Sequence, residues 1–132
     1  KAITMKEGKD VTIIACGTMV AEALDAAEVL AQKGISAEVI NLHTIKPIDK
    51  EAIIASARKT GCVVTAEEHQ LAGGMGSAVA EVLVQSLPVP MEMVGIQDTF
   101  GESGQLDELM KKYGITSKEI FEKAVKVISR KS

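Results

Sequence analysis

The segment best equipped for chemistry is Glu67-Glu68-His69-Gln70-Leu71-Ala72-Gly73-Gly74-Met75-Gly76-Ser77, two acids and a histidine running into a glycine cluster. Carboxylates and an imidazole can move protons or supply two metal ligands. Adjacent residues at a strand end point to opposite faces, so Glu67 and Glu68 do not read as a working carboxylate pair. Gly74-Met75-Gly76 opens a dinucleotide-type G-x-G-x-x-G, but Val79 stands where the third glycine belongs, and the fingerprint fails. The glycines still permit close approach of a backbone, whether a ligand's or a neighbouring chain's. A polar interface or a buried hydrogen-bond network is the preferred reading, ahead of a small-molecule site and of catalysis.

Three further segments carry groups that could do chemistry. Asp98-Thr99-Phe100-Gly101-Glu102-Ser103-Gly104-Gln105 suits a loop that docks a lone aromatic. It superficially resembles a hydrolase nucleophile turn, yet Gln105 replaces the last glycine of G-x-S-x-G, and both histidines precede Ser103. Cys16-Gly17-Thr18-Met19 opens a helix, whose N–H groups can hold an anion, although a plain strand-to-helix turn explains it as well. His43, in Asn41-Leu42-His43-Thr44-Ile45-Lys46-Pro47, reads as a loop hydrogen-bonder.

These loops are positioned by alternating strands and amphipathic helices. Val11–Ala15 is a β-branched apolar run suited to a strand buried on both faces. Thr18 is the expected N-cap of a helix carrying Val20, Ala23, Leu24, Ala27, Leu30 and Ala31 at the 3.6-residue period, closed by Gly34. Ala37–Leu42 is a second strand; a helix after Pro47 and Asp49, with Ala52, Ile53, Ile54 and Ala57 apolar, ends at Gly61. Cys62–Ala66, a helix over Gly73–Ser86 and Met91–Ile96 follow, then helices over Leu106–Tyr113 and after a Thr116/Glu119 capping box. Ala2–Met5 is an extra strand, joined to Val11 by a turn-like stretch that implies one antiparallel pairing. The expected fold is α/β: three layers, α/β/α, with a mostly parallel mixed sheet of about five strands. All 132 residues read as one domain.

Composition narrows the function classes. Three aromatics (Phe100, Tyr113, Phe121) and no Trp leave no stacking platform for single-stranded nucleic acid. A net charge of −3 favours neither DNA nor an anionic membrane, and the apolar runs fall short of the ~18–20 residues of a span. Charge is uneven: −8 over residues 1–110 and +5 over 111–132, read as a solvated basic helix. Cys16 and Cys62 sit in apolar runs, as free thiols of a reducing, cytoplasmic compartment would. No signal peptide is visible, and the opening at Lys1 without Met leads us to expect a fragment or separate subunit of a longer enzyme.

Taken in order, VTIIACGTMVAEALDAAEVLAQKGISAEVINLHTIKPID, VVTAEEHQLAGGMGSAVAE and DTFGESGQLDELMKKYGIT resemble the C-terminal domain of transketolases over about residues 2–130. The same domain recurs in 1-deoxy-D-xylulose-5-phosphate synthase and in the beta subunit of the first component of 2-oxoacid dehydrogenase complexes, where it has a docking role. The Phe100–Gly104 segment is most similar to transketolase proper, especially the split type made of two polypeptides.

The resemblance implies a thiamine-diphosphate and magnesium enzyme that moves two-carbon ketol units between sugar phosphates of the pentose phosphate pathway. The cofactor carries the carbanion chemistry. In the family it binds between the two other domains, through a G-D-G motif and a later Asn; this chain has no G-D-G, and its one Asn is Asn41. No catalytic, cofactor or metal residue is therefore carried onto this chain, and the isolated domain is expected to be inactive. Its implied partners are the N-terminal and middle domains or subunit of the same enzyme, within a homo-oligomer such as a dimer, with no nucleic acid or membrane. Glu67, Glu68, His69, Gly73, Gly74, Gly76, Phe100, Glu102 and Ser103 are the expected contact edge or, alternatively, a site for a small anion. A stand-alone dinucleotide or flavin carrier is disfavoured by Val79 and by the lack of aromatics to sandwich a flavin.

Overall fold

The computed structural model describes residues 1–68, 74–95 and 117–131. Among these residues five strands form one sheet: β1 (Ile3–Lys6), β2 (Val11–Ala15), β3 (Ala37–Asn41), β4 (Val63–Glu67) and β5 (Met91–Gly95), in the spatial order β1-β3-β2-β4-β5. β2 pairs in parallel with β3 and β4, and β4 with β5; β1 runs antiparallel to β3. The antiparallel pairing expected at the amino terminus is present, but its partner is β3, not the sequence neighbour β2. Gly8 explains the detour. A Cβ there would lie 2.2 Å from the Ala37 carbonyl carbon, so the β1–β2 connection crosses directly over the start of β3.

Helices α1 (Met19–Gln32) and α4 (Ser117–Ser129) cover one face of the sheet; α2 (Lys50–Thr60) and α3 (Met75–Ser86) cover the other. Strand alternation sorts the side chains. Ile13, Ala15, Val39, Val64 and Ala66 face α1 and α4, while Ile14, Ile40 and Val63 face α2 and α3. Because both faces are covered, β2 and β4 are buried at every position. Each large aliphatic side chain so buried contributes about 1.5–3 kcal/mol.

The helices follow the sequence signals with two adjustments. Asp49 caps α2, its Oδ1 accepting from Ala52 N at 3.2 Å, and Gly61 ends it at φ +82°. Thr18 precedes α1 as expected, but its side chain makes no cap bond; the hydroxyl turns instead to Glu68. The inward stripe of α1 is Met19, Ala23, Ala26, Ala27 and Leu30, with Ala31 exposed and Val20 and Leu24 only half-buried. A helix this rich in alanine leaves its rotation open by a fraction of a turn, and the large Met19 and Leu30 decide it. The C-terminal basic side chains are internally engaged. Glu92 of β5 meets Arg130 at 2.6 Å, Lys123 at 3.6 Å and Lys126 at 3.8 Å, and Lys131 Nζ donates to the Asp10 and Thr60 carbonyls.

Candidate functional site at the carboxyl edge of the sheet

Parallel sheets bind ligands beyond the carboxyl ends of their strands. Here that edge brings together Cys16, Gly17 and Thr18 after β2, Glu67 and Glu68 at the end of β4, and Gly74, Met75 and Gly76 at the start of α3. His69, Gly73, Phe100, Glu102, Ser103, the helix expected over Leu106–Tyr113 and Thr116 lie outside the described residues. His43 is exposed in the loop between β3 and α2.

The two glutamates part company as strand alternation requires. Glu67 turns to the α3 face, where it is 1% exposed; its Oε1 accepts from Met75 N at 2.8 Å and its Oε2 from Gly76 N at 2.7 Å. These are charge-assisted bonds to the first N–H groups of a helix, which have no partner within the helix and sit at its positive end. Glu68 turns to the α1 face, where its Oε2 accepts from Thr18 Oγ1 at 2.7 Å. Its Oε1 lies 2.9 Å from where a Cβ on Gly17 would sit, and Gly17 has φ +62°, so both space and backbone conformation favour glycine. Adjacent acids on one strand thus tie the starts of both flanking helices to β4.

Cys16 lies between them and is half-buried. Burial pushes its thiol up, and the carboxylates of Glu67 and Glu68 push it further, so it is held as the unreactive neutral form. Gly76 faces the same cluster: a Cβ there would stand 2.7 Å from Met93 Sδ and 3.0 Å from both Glu67 Oε2 and Thr65 Oγ1. An open hollow of about 300 Å³ beside Pro47 and Ile48 is lined also by Lys1 and Asp49. Its carboxylate is already committed, accepting from Ala2 N and Ala52 N, which holds the Asp49 carboxyl below its usual value.

A second polar cluster, at the opposite end of the sheet, escaped the reading of the sequence. Glu38, 4% exposed, accepts from Gly8 N at 3.0 Å and Ser56 Oγ at 2.8 Å and pairs with Lys59 at 2.6 Å. Thr12 Oγ1 lies 2.7 Å from both Ser56 Oγ and Thr60 Oγ1. Burial alone would raise the Glu38 carboxyl; Lys59, the Gly8 N–H and the Ser56 hydroxyl together overcome it and hold it low. The available signal was Ser56 and Thr60, four apart, on the stripe of α2 that also carries Ile53 and Ala57.

Neither cluster fits magnesium or thiamine diphosphate. Among the described residues no group of three or more His, Cys, Asp or Glu could hold a metal ion, and the two α3 N–H groups best placed for a diphosphate are taken by Glu67. No helix among the described residues is long and apolar enough to cross a membrane.

The family model described as the transketolase C-terminal domain matches residues 1–120. The chain is 56% identical, over 132 residues, to a 6-deoxy-6-sulfo-D-fructose transketolase subunit of Clostridium sp. (strain MSTE9), covering 100% of this chain and 41% of that one. It is 45% identical over 118 residues to the 1-deoxy-D-xylulose-5-phosphate synthase of Desulforudis audaxviator, covering 88% of this chain and 19% of the synthase. Among solved structures, a split-gene transketolase in an inactive beta4 tetramer superposes with a TM-score of 0.95 at 48% identity, covering 100% of this chain and 43% of that one. The chain therefore spans about two fifths of these two transketolase relatives. The fold, the order of its elements and the family match agree: this chain belongs to the transketolase C-terminal domain family.

Proposed function

We propose that this chain is the C-terminal domain of a transketolase and supports assembly of a thiamine-diphosphate enzyme that transfers two-carbon ketol units between sugar phosphates. The observation that carries the reading is the likeness, over the full length of this chain, to a split-gene transketolase of which it spans under half. Catalysis, cofactor and substrate binding then belong to the rest of the enzyme, and its partners are the N-terminal and middle domains or subunit, in a cytoplasmic homo-oligomer. The geometry is consistent with this division of labour. The edge where a ligand would ordinarily bind is tied up by Glu67 and Glu68, leaving Gly17, Thr18 and Gly74 as a shaped backbone surface for the neighbouring domain.

Reconstitution tests the proposal. The chain alone, given thiamine diphosphate, magnesium and a ketose phosphate donor, is expected to be silent, and turnover should appear when the remaining part of the enzyme is added. Turnover by the pure chain alone would overturn it. A second reading, part of a 1-deoxy-D-xylulose-5-phosphate synthase, is supported by the 45% identity to that enzyme; formation of 1-deoxy-D-xylulose 5-phosphate by the reconstituted enzyme would select it.

A further inference from the structure

The first turn of α3 has the makings of an anion pocket. Two backbone N–H groups, those of Met75 and Gly76, converge on one carboxylate group at 2.8 and 2.7 Å. That carboxylate, on Glu67, is 1% exposed and forms no ion pair among the described residues; its charge is met by N–H dipoles alone. A third polar group faces the same place. Thr65, on the same face of β4 two residues earlier, is 0% exposed, and its hydroxyl has no hydrogen-bond partner among the described residues. The Thr65 oxygen and Glu67 Oε2 both lie 3.0 Å, and Met93 Sδ 2.7 Å, from the position a Gly76 Cβ would take, so hydroxyl and carboxylate pack together against the glycine that begins the helix. An unpartnered buried hydroxyl is costly, and one aimed at a helix start is a donor in reserve.

We propose that the first turn of α3 is an anion-binding pocket whose resident ligand is the chain's own Glu67 carboxylate, with Thr65 as an unused donor, and that it accepts a free small carboxylate once that side chain is removed. Glu67 is then a positioning residue, an internal ligand that fixes α3 against β4 and closes this position to outside anions.

The test is chemical rescue. Glu67→Ala deletes four heavy atoms, the same four that acetate contains. The midpoint of thermal unfolding should fall by on the order of 10 °C and climb back saturably with sodium acetate, while sodium chloride at matched ionic strength leaves it low. The Met75 and Gly76 amide resonances of the variant should shift with the same half-saturation, and adding Thr65→Val should weaken acetate binding several-fold. The wild-type chain should show no acetate response. If Glu67→Ala is unfolded in chloride, acetate should restore its helical circular dichroism. Glu67→Gln fills the pocket with an amide and should be destabilised without responding to acetate. Equal effects of acetate and chloride on Glu67→Ala, no refolding of an unfolded variant, or an acetate response in Glu67→Gln would each overturn the proposal.

Discussion

Gly76 shows how one missing side chain holds the carboxyl edge together. Its N–H must reach Glu67 while its α-carbon lies against Thr65 and Met93, and each of these neighbours is closer than a methyl group tolerates. Met93 is 37% exposed and its thioether end can swing away. The Glu67 carboxylate cannot, because both its oxygens are held. Gly76→Ala should therefore destabilise the chain by about 1–3 kcal/mol, and clearing the sulfur with Met93→Ala as well should not recover the loss. Denaturant titration of the single and double variants checks this; a double variant as stable as Met93→Ala alone would show that the carboxylate imposes no constraint. The sequence made this glycine conspicuous through a broken dinucleotide fingerprint, and strand alternation separated Glu67 from Glu68. It did not indicate which glutamate would turn to which helix, since that depends on α3 and α1 lying on opposite faces of β4.

At the scale of elements, the apolar runs and their glycine and aspartate punctuation were enough to read β2 through β5 and helices α1 to α3 in order. Continuous β-branched runs such as Val11–Ala15 have few alternatives to a strand buried on both faces. Two features were hidden for physical reasons. The pairing of β1 with β3 is non-local, set by the close approach of Gly8 to Ala37 rather than by any turn signal. The hydroxyls on the inner stripe of α2 look like interruptions of an apolar face until Thr12 and Glu38 are placed opposite them. That network is redundant: without Thr12, Ser56 still donates to Glu38, and the Thr60 hydroxyl still has the Ser56 or the Cys62 carbonyl to donate to. Thr12→Val keeps the shape and strands no buried donor, so it should cost only about 1 kcal/mol. Glu38→Ala leaves Gly8 N–H and Ser56 Oγ without their acceptor and should cost clearly more. Equilibrium unfolding of the two variants side by side decides the order, and Thr12→Val proving the worse would refute the redundancy.

The whole molecule is a sheet whose centre and one edge are held by different forces. β2, β3 and β4 are secured chiefly by apolar burial on both faces, which is itself insensitive to pH. Among the described residues β1 has one strand neighbour, and Ile3 and Met5 remain 50% and 44% exposed. Two carboxylates fasten its ends: Asp49 accepts from Ala2 N ahead of the strand and Glu38 from Gly8 N beyond it. Both carboxyls are held below their usual values, Asp49 by backbone N–H bonds and Glu38 by Lys59, Gly8 and Ser56 against the opposing effect of burial. A carboxyl with a lowered folded-state pKa adds stability that is complete above its unfolded value, about 3.9 for Asp and 4.3 for Glu, and is lost as pH falls through the folded value. Acid should therefore loosen β1 before it unfolds the core. Amide hydrogen exchange, corrected for intrinsic rates, should show β1 protection holding from pH 6 to about 4.5 and falling as the pH drops below about 4, while β2 and β4 keep theirs. In Glu38→Gln the Gly8 end should exchange faster at neutral pH and depend less on acid. Parallel loss of protection in β1 and β2 across that range would mean that the edge and the core open as a single unit, and that the two carboxylates do not fasten the edge separately.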